Sequence, residues 1–560
     1  MPRRQLMENT IASNDRARRS GGELAAHVVD EYLSGRISRR EFIRRGTVVG
    51  ISISMIAAVA GAGTSAASTR PAAAPRAPGG TIRVGLVTPT GQINPLTVAD
   101  QGGLAMLAQT GEYLCLSDEH LRLRPVLATS WSANSAGDVW TFKIRRGVKF
   151  HDGRPLTADD VVYTYKLQTD PKGTANALSA FGGVLTPAGV TKVDAYTVRF
   201  HLDAPNGNFP YLCSSDNYNM IILPKGYDPA RWQKSFIGTG PFTLTSYKPD
   251  VGAAFTRNPA YWGPKALVRT TQFTFYATQT PSIVALEGST IDVVSQFSVQ
   301  GGESLITGAY DVINLKSSAH RELSMRCDKA PFHDPRVRQA LALTLDRPAI
   351  VKALFKGYAV PGNDSPFAPV FPSTDTSVAQ RTMNLRKARQ LLAAAGHPHG
   401  FTTKLYTENL LEIPAYAQIV KASAAKVGID IALDVETSSA YYGKATFGSS
   451  DWLDGTMSLV DYGHRSVPNV FLTAPLESSG TWNAAHFKDA SYDKLVTQYV
   501  AAVDLSTQRS LAGKIERLLL AETPVVFGYF YNYLTATTKR VKGVYPTAMG
   551  HLFLNNASIS

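Results

Sequence analysis

TFKIRRGVKFHDGRPLTADDVVYTY, residues 141–165, carries the clearest local pattern in the chain. Trp140, Phe142 and Ile144 alternate with Thr141, Lys143 and Arg145, the two-residue period of a strand that buries one face. Asp152-Gly153 then turns the chain. Thr157 caps the next helix, and Asp160, three residues on, reaches back to the cap amide and completes a capping box. Strand, turn and helix follow one another, and nothing in the segment performs chemistry.

Upstream, Ser38-Arg39-Arg40-Glu41-Phe42-Ile43-Arg44 has the twin-arginine export pattern. An uncharged run follows over residues 46–69, with Val48, Val49, Ile51, Ile53, Met55 and Ile56. Thr64-Ser65-Ala66-Ala67 offers a cleavage site after Ala66. Residues 1–66 are therefore expected to be an export signal, leading to the periplasm or the cell envelope. A basic amphipathic arm and an uncleaved anchor are the alternatives, the anchor because roughly 17–25 residues suffice to cross a bilayer. Residues 67–80, rich in Pro and Ala, form a linker.

The chain of 560 residues carries a formal charge of +13. Its first 66 residues hold ten Arg against six Asp plus Glu, so removing them leaves +9 over 494 residues. That modest charge is scattered, and no helix-turn-helix or zinc-finger spacing accompanies it, which argues for a basic soluble surface and against a nucleic-acid partner. A single core stops growing near roughly 250–300 residues, so at least two lobes are expected.

Only Cys115, Cys213 and Cys327 occur, too widely spaced for a metal or redox motif, and no essential disulfide is expected. None stands where a lipid anchor would attach. GxSxG, HExxH, Walker and CxxC motifs are absent. His397 and His399 flank Pro398 as loop histidines. No catalysis, cofactor or metal is read from these residues.

Further elements follow in order. Thr81 to Val87 reads as a short apolar strand, and Val198, Phe200 and Leu202 mark another. Gly238-Thr239-Gly240-Pro241-Phe242 opens a hairpin-like pair, its glycines read as a tight turn, and the pair ends at Arg257-Asn258-Pro259-Ala260-Tyr261-Trp262. A second lobe begins near His320. Asp334 with Pro335, and Asp346 with Pro348, each start a helix, the first running along Val337, Leu341, Thr344 and Leu345. Leu385 to Ala395 forms another helix, stopped by Gly396. Thr402 to Tyr406 and Ile429 to Val435 are strands, which makes this lobe α/β. Near the C-terminus, a helix through Leu511 and Leu518 precedes Pro524, and Val525 to Tyr533 reads as a strand.

In chain order, Gly111-Glu112-Tyr113-Leu114, the 141–165 segment, the GTGPF block and the RNPAYW block resemble the family-five extracellular solute-binding proteins, the peptide- and nickel-type receptors of ABC importers. The resemblance implies an α/β, two-lobed periplasmic-binding-protein-like fold of type II, a Venus flytrap, with an extra subdomain in the first lobe. The first lobe would span residues 81–319 and the second 320–527, with residues 528–560 returning to the first. Hinge crossings would lie near residues 318–326 and 528–535.

The same resemblance implies a site. Leu459-Val460-Asp461-Tyr462 is similar to the Asp-Tyr block of the peptide binders, whose aspartate receives the ligand's α-ammonium; a loop-capping role for Asp461 is the alternative. Tyr113, Tyr462, Trp482 and Tyr531 would supply flat contacts, each with core packing as its alternative. Arg465 would meet a ligand carboxylate or stay solvated. Gly463-His464-Arg465-Ser466-Val467-Pro468 departs from the family's tighter spacing, and Ser458 stands where peptide binders often carry an aromatic residue. The implied function is an exported, monomeric receptor, not an enzyme, without cofactor or metal, that hands a small polar solute to an ABC permease at the membrane. Oligopeptide comes first; a nickel chelate, a sugar, an opine, or a role as peptide-signal sensor are the alternatives.

Overall fold

The computed structural model describes residues 79–560 except residue 92 and residues 229–236. The export pattern, the uncharged run and the linker up to residue 78 lie outside the described residues. Among those described, no helix is long and apolar enough to cross a membrane.

Two large sheets, one per lobe, carry the chain. In the first, seven strands run in the order Asp311–Leu315, Tyr533–Thr537, Val293–Phe297, Thr81–Val87, Thr270–Tyr276, Gly252–Arg257, Phe242–Lys248. Thr81–Val87 sits at the centre, parallel to both neighbours, with Ile82, Val84 and Leu86 buried. A central parallel strand is covered on both faces, which is why this run is so apolar.

The quoted segment belongs to a separate four-stranded antiparallel sheet, in the order Ala128–Ala133, Val139–Ile144, Thr197–His201, Val190–Asp194. Trp140, Phe142 and Ile144 face inward as the alternation requires, and Phe142 meets Phe200 edge-on at 5.4 Å. The helix Ala158–Gln168 begins with the expected capping box: the Thr157 amide donates to Asp160 Oδ2 at 2.8 Å. Its Tyr165 ring lies 4.7 Å from Phe200 and closes this small core.

The glycines of the GTGPF block do something other than turn. Neither Gly238 nor Gly240 has positive φ. A Cβ on Gly238 would fall 2.0 Å from the Thr110 carbonyl oxygen, and one on Gly240 2.6 Å from the carbonyl carbon. They let the loop lie against the end of the helix Gln101–Thr110, where the Gly240 amide donates to Thr110 O at 2.9 Å. Close backbone approach, rather than φ, requires glycine here.

The second sheet has six strands in the order Ala359–Pro361, Val525–Tyr531, His320–Met325, Met457–Tyr462, Phe401–Glu408, Ile429–Glu436. Helices pack around it, and the acid-capped starts stand as read: Asp334 accepts from the Arg336 amide ahead of Pro335–Ala342, and Asp346 from the Ala349 amide ahead of Arg347–Phe355. The first of these stops at Ala342, so Thr344 and Leu345 are buried in the connection instead of on the helix.

The chain passes between the sheets twice, through residues 316–319 and at Asn532. The expected return at residue 528 falls inside the strand Val525–Tyr531, where Tyr529 to Tyr531 still pair with Ala359–Pro361. The two crossings are bonded together, because the Tyr531 amide donates to Ala319 O at 2.9 Å and Ser317 Oγ donates to Tyr531 O at 2.5 Å.

Candidate ligand-binding site

Next to these crossings the six-stranded sheet gathers several strand ends. Phe401–Glu408 and Met457–Tyr462 are parallel and finish here with Glu408, Asp461 and Tyr462. The antiparallel strand His320–Met325 starts here, and Val525–Tyr531 finishes here. The carboxyl ends of parallel strands are where open α/β sheets place their ligands.

Arg321 lies opposite Asp461 in the antiparallel register, so both side chains leave the same face of the sheet. Arg321 is only 1% exposed, while the Asp461 side chain is 26% exposed. One guanidinium nitrogen, Nη1, donates to Asp461 Oδ1. Nη2 donates to Glu412 Oε2 at 3.2 Å, and Nε lies 2.9 Å from Glu412 Oε1 as an ion pair. The Tyr531 ring lies 4.4 Å from the guanidinium carbon, and its hydroxyl donates to Asp461 Oδ1 at 3.1 Å. Tyr529 donates to Glu412 Oε1 at 2.9 Å. Both of these bonds to Asp461 fall on Oδ1.

Burial raises the Asp461 carboxyl above its ordinary range; Arg321 and the Tyr531 hydroxyl oppose that, while Glu412 and Glu408 add to it. Glu408 is itself buried and accepts from Ser438 Oγ and Tyr442 OH, both at 2.7 Å.

An aromatic wall stands beside this cluster. Tyr442 meets Trp452 edge-on at 5.3 Å, Trp452 lies 6.4 Å from Trp482, and Trp482 stacks on Tyr462 at 6.0 Å. Tyr442 and Trp482 are half-buried, whereas Tyr462 is buried against His320 and Phe471.

Of the six residues chosen from sequence, the structure therefore brings Asp461 and Tyr531 into contact, and Tyr462 and Trp482 into a stack nearby. Arg465 is exposed in the loop beside the crossing, where Ser318 Oγ donates to its carbonyl at 2.6 Å. Its guanidinium Nη1 donates to His464 O at 2.9 Å. Tyr113 is apart from all of them: buried in the first lobe, its hydroxyl donates to Tyr218 O at 2.8 Å and lies 2.8 Å from His551 Nε2. It lines a different cavity of about 210 Å³ with Glu112, Tyr261, Trp262, Tyr545 and Phe553. There Glu112 accepts from Tyr261 OH at 2.6 Å and Trp262 Nε1 at 2.8 Å, and burial raises its carboxyl to about 7.

Arg321, Glu408, Glu412 and Tyr442 were missed from sequence. A signal existed: His320-Arg321-Glu322 puts three ionisable residues in succession into a strand whose six positions are all buried. Buried charge needs a partner, so that strand announces a polar network. Among the described residues, no three His, Cys, Asp or Glu side chains are grouped to hold a metal ion.

A family model, bacterial extracellular solute-binding proteins, family 5 Middle, matches residues 122–482. Heme-binding protein A of Haemophilus influenzae is 25% identical over 469 residues, spanning 77% of this chain and 83% of its own. The periplasmic murein peptide-binding protein MppA of Escherichia coli is 26% identical over 448 residues, spanning 75% and 82%. Among solved structures, HbpA2 of Haemophilus parasuis overlays with a TM-score of 0.77 at 24% identity, covering 86% of this chain and all of that one. The unliganded open form of MppA overlays with a TM-score of 0.75 at 22% identity, covering 86% and 97%. These overlays establish the two-lobed α/β fold.

Proposed function

The chain belongs to the bacterial extracellular solute-binding proteins of family 5, and on that basis we propose that it captures oligopeptides outside the cytoplasm and hands them to an ABC permease. It is a substrate-binding protein of ABC importers and not an enzyme. The peptide ligand, the twin-arginine route implied by Ser38 to Arg44, and the action as a monomer are the proposed part.

One observation carries the peptide reading: a part-exposed carboxylate, Asp461, held at a strand end between the crossings and an aromatic wall. A cleft that shuts on a ligand strips water from its α-ammonium, and an opposite charge within about 4–6 Å must replace that hydration. The wall at Tyr442 and Trp482 then packs side chains of differing shape without demanding particular hydrogen bonds. Contacts supplied by both lobes exist only when they shut, so ligand shifts the population toward the closed form. Peptide-binding relatives in Bacillus subtilis and Escherichia coli support the assignment.

The test combines native mass spectrometry of the purified chain, to identify retained cargo, with calorimetry on free and N-acetylated peptides. The free amine is expected to bind more tightly, and Asp461→Asn to lose about tenfold to a hundredfold, the worth of a charge-assisted bond. Equal affinity for the acetylated peptide, or an unaltered Asp461→Asn variant, removes Asp461 from the site.

A further inference from the structure

The surroundings of Asp461 are more acidic than one carboxylate. Arg321 is ion-paired with both Asp461 and Glu412, and Glu412 and Glu408 add to the rise that burial gives the Asp461 carboxyl. Asp461 and Glu412 share the Arg321 guanidinium, while the Glu408 carboxyl, bonded to Ser438 and Tyr442, has no cation bonded to it among the described residues. Arg321, Glu412 and Glu408 are all buried, and each is already hydrogen-bonded to protein groups. Enclosed and engaged in this way, they would act on a nearby cation through their field, which is strong where water is excluded. A ligand that delivers a single ammonium to Asp461 leaves excess negative charge behind.

The second observation is the wall itself. It begins at Tyr442, whose hydroxyl is committed to Glu408 Oε1, and runs through Trp452 to the half-buried Trp482. Flat rings leading away from a buried anion suit a long basic side chain, which lays its methylenes along aromatic faces and keeps its cation in the field.

We infer that this site, on the oligopeptide reading above, selects peptides whose first residue is lysine or arginine, with the α-ammonium at Asp461 and the side-chain cation along Tyr442 and Trp482. Glu408 and Glu412 are the specificity-determining residues, because they restore the negative charge that Arg321 cancels.

Calorimetry on the purified full chain compares Lys-Ala-Ala with norleucine-Ala-Ala, which has a similar side-chain length and no charge. The lysine peptide is expected to bind about tenfold more tightly or better, as a partly desolvated cation–aromatic and opposite-charge interaction allows. Glu408→Gln and Glu412→Gln should each bring that ratio toward one. Equal affinities for the two peptides in the unaltered protein overturn the inference, whether or not the variants fold. If neither peptide binds, the oligopeptide reading fails on its own account, and 1,4-diaminobutane against 1-butylamine then tests the charge preference. Equal or absent binding of that pair overturns it as well.

Discussion

Glu322 is a carboxyl group enclosed in the core: it is 1% exposed and its Oε2 has no hydrogen-bond partner among the described residues. Burial raises it from its ordinary value to about 8. The folded chain therefore keeps a proton that the unfolded chain releases near its ordinary value, so this group favours folding at low pH and that contribution is lost as pH rises through about 8. Glu322→Gln removes the ionisable group and keeps the shape. The variant should melt higher than the parent at pH 8, by about 1–3 kcal/mol in stability, with the gain shrinking toward pH 5. A gain that is the same at both pH values would mean that Glu322 stays charged in the fold. This carboxyl and Asp461 come from neighbouring strands, yet only Asp461 suggested a role when read alone. The difference lies in partners. Glu322 faces the apolar side and Asp461 the Arg321 side, and alternation along a strand separates the two only once the register is known.

At the scale of elements, legibility followed locality. The strand Val139–Ile144 and the helix Ala158–Gln168 were readable because alternation and a capping box are written within a few residues. The acid-plus-proline starts at Asp334 and Asp346 were readable for the same reason. What neighbouring residues do not encode is which strands meet: Thr81–Val87 pairs with Thr270–Tyr276, and Glu412 reaches Arg321 from another part of the chain. The glycines at 238 and 240 were misread on this account, since the Thr110 carbonyl that excludes a side chain is remote in sequence. Two measurements address these elements. Thr157→Ala removes the cap of Ala158–Gln168 and should cost about 1 kcal/mol in chemical denaturation, the ordinary worth of such a cap. Gly238→Ala should cost more, about 2 kcal/mol or above, because rigid backbone rather than a flexible side chain must move aside. A smaller loss for Gly238→Ala than for Thr157→Ala would contradict the close approach to Thr110.

For the whole molecule, the lobes meet at a place other than the two crossings. A first-lobe loop ahead of the helix Phe209–Leu212 rests on second-lobe helices: the Gly207 amide donates to Val500 O at 2.8 Å, and Asn208 Nδ2 to Asn469 Oδ1 at 2.8 Å. Gln508 Nε2 in turn donates to Asn208 Oδ1 at 3.1 Å. A Cβ on Gly207 would fall 1.8 Å from Ala502 O, so any larger residue forces the two backbones apart. Bodies joined at the crossings and propped at a second point are restricted to turning about the line through both, which suits opening and shutting and resists twisting. Gly207→Ala should release the prop. Its ligand-free scattering should then show a larger or broader radius of gyration. Apparent affinity should fall in proportion to the fraction of molecules that remain competent to close. The contacts at Asp461 are untouched by this substitution, so the preference for a free over an acetylated amine should persist while both affinities drop together. A variant with unchanged scattering and unchanged affinity would show that the loop at Gly207 only brushes the second lobe and that the crossings alone guide the motion.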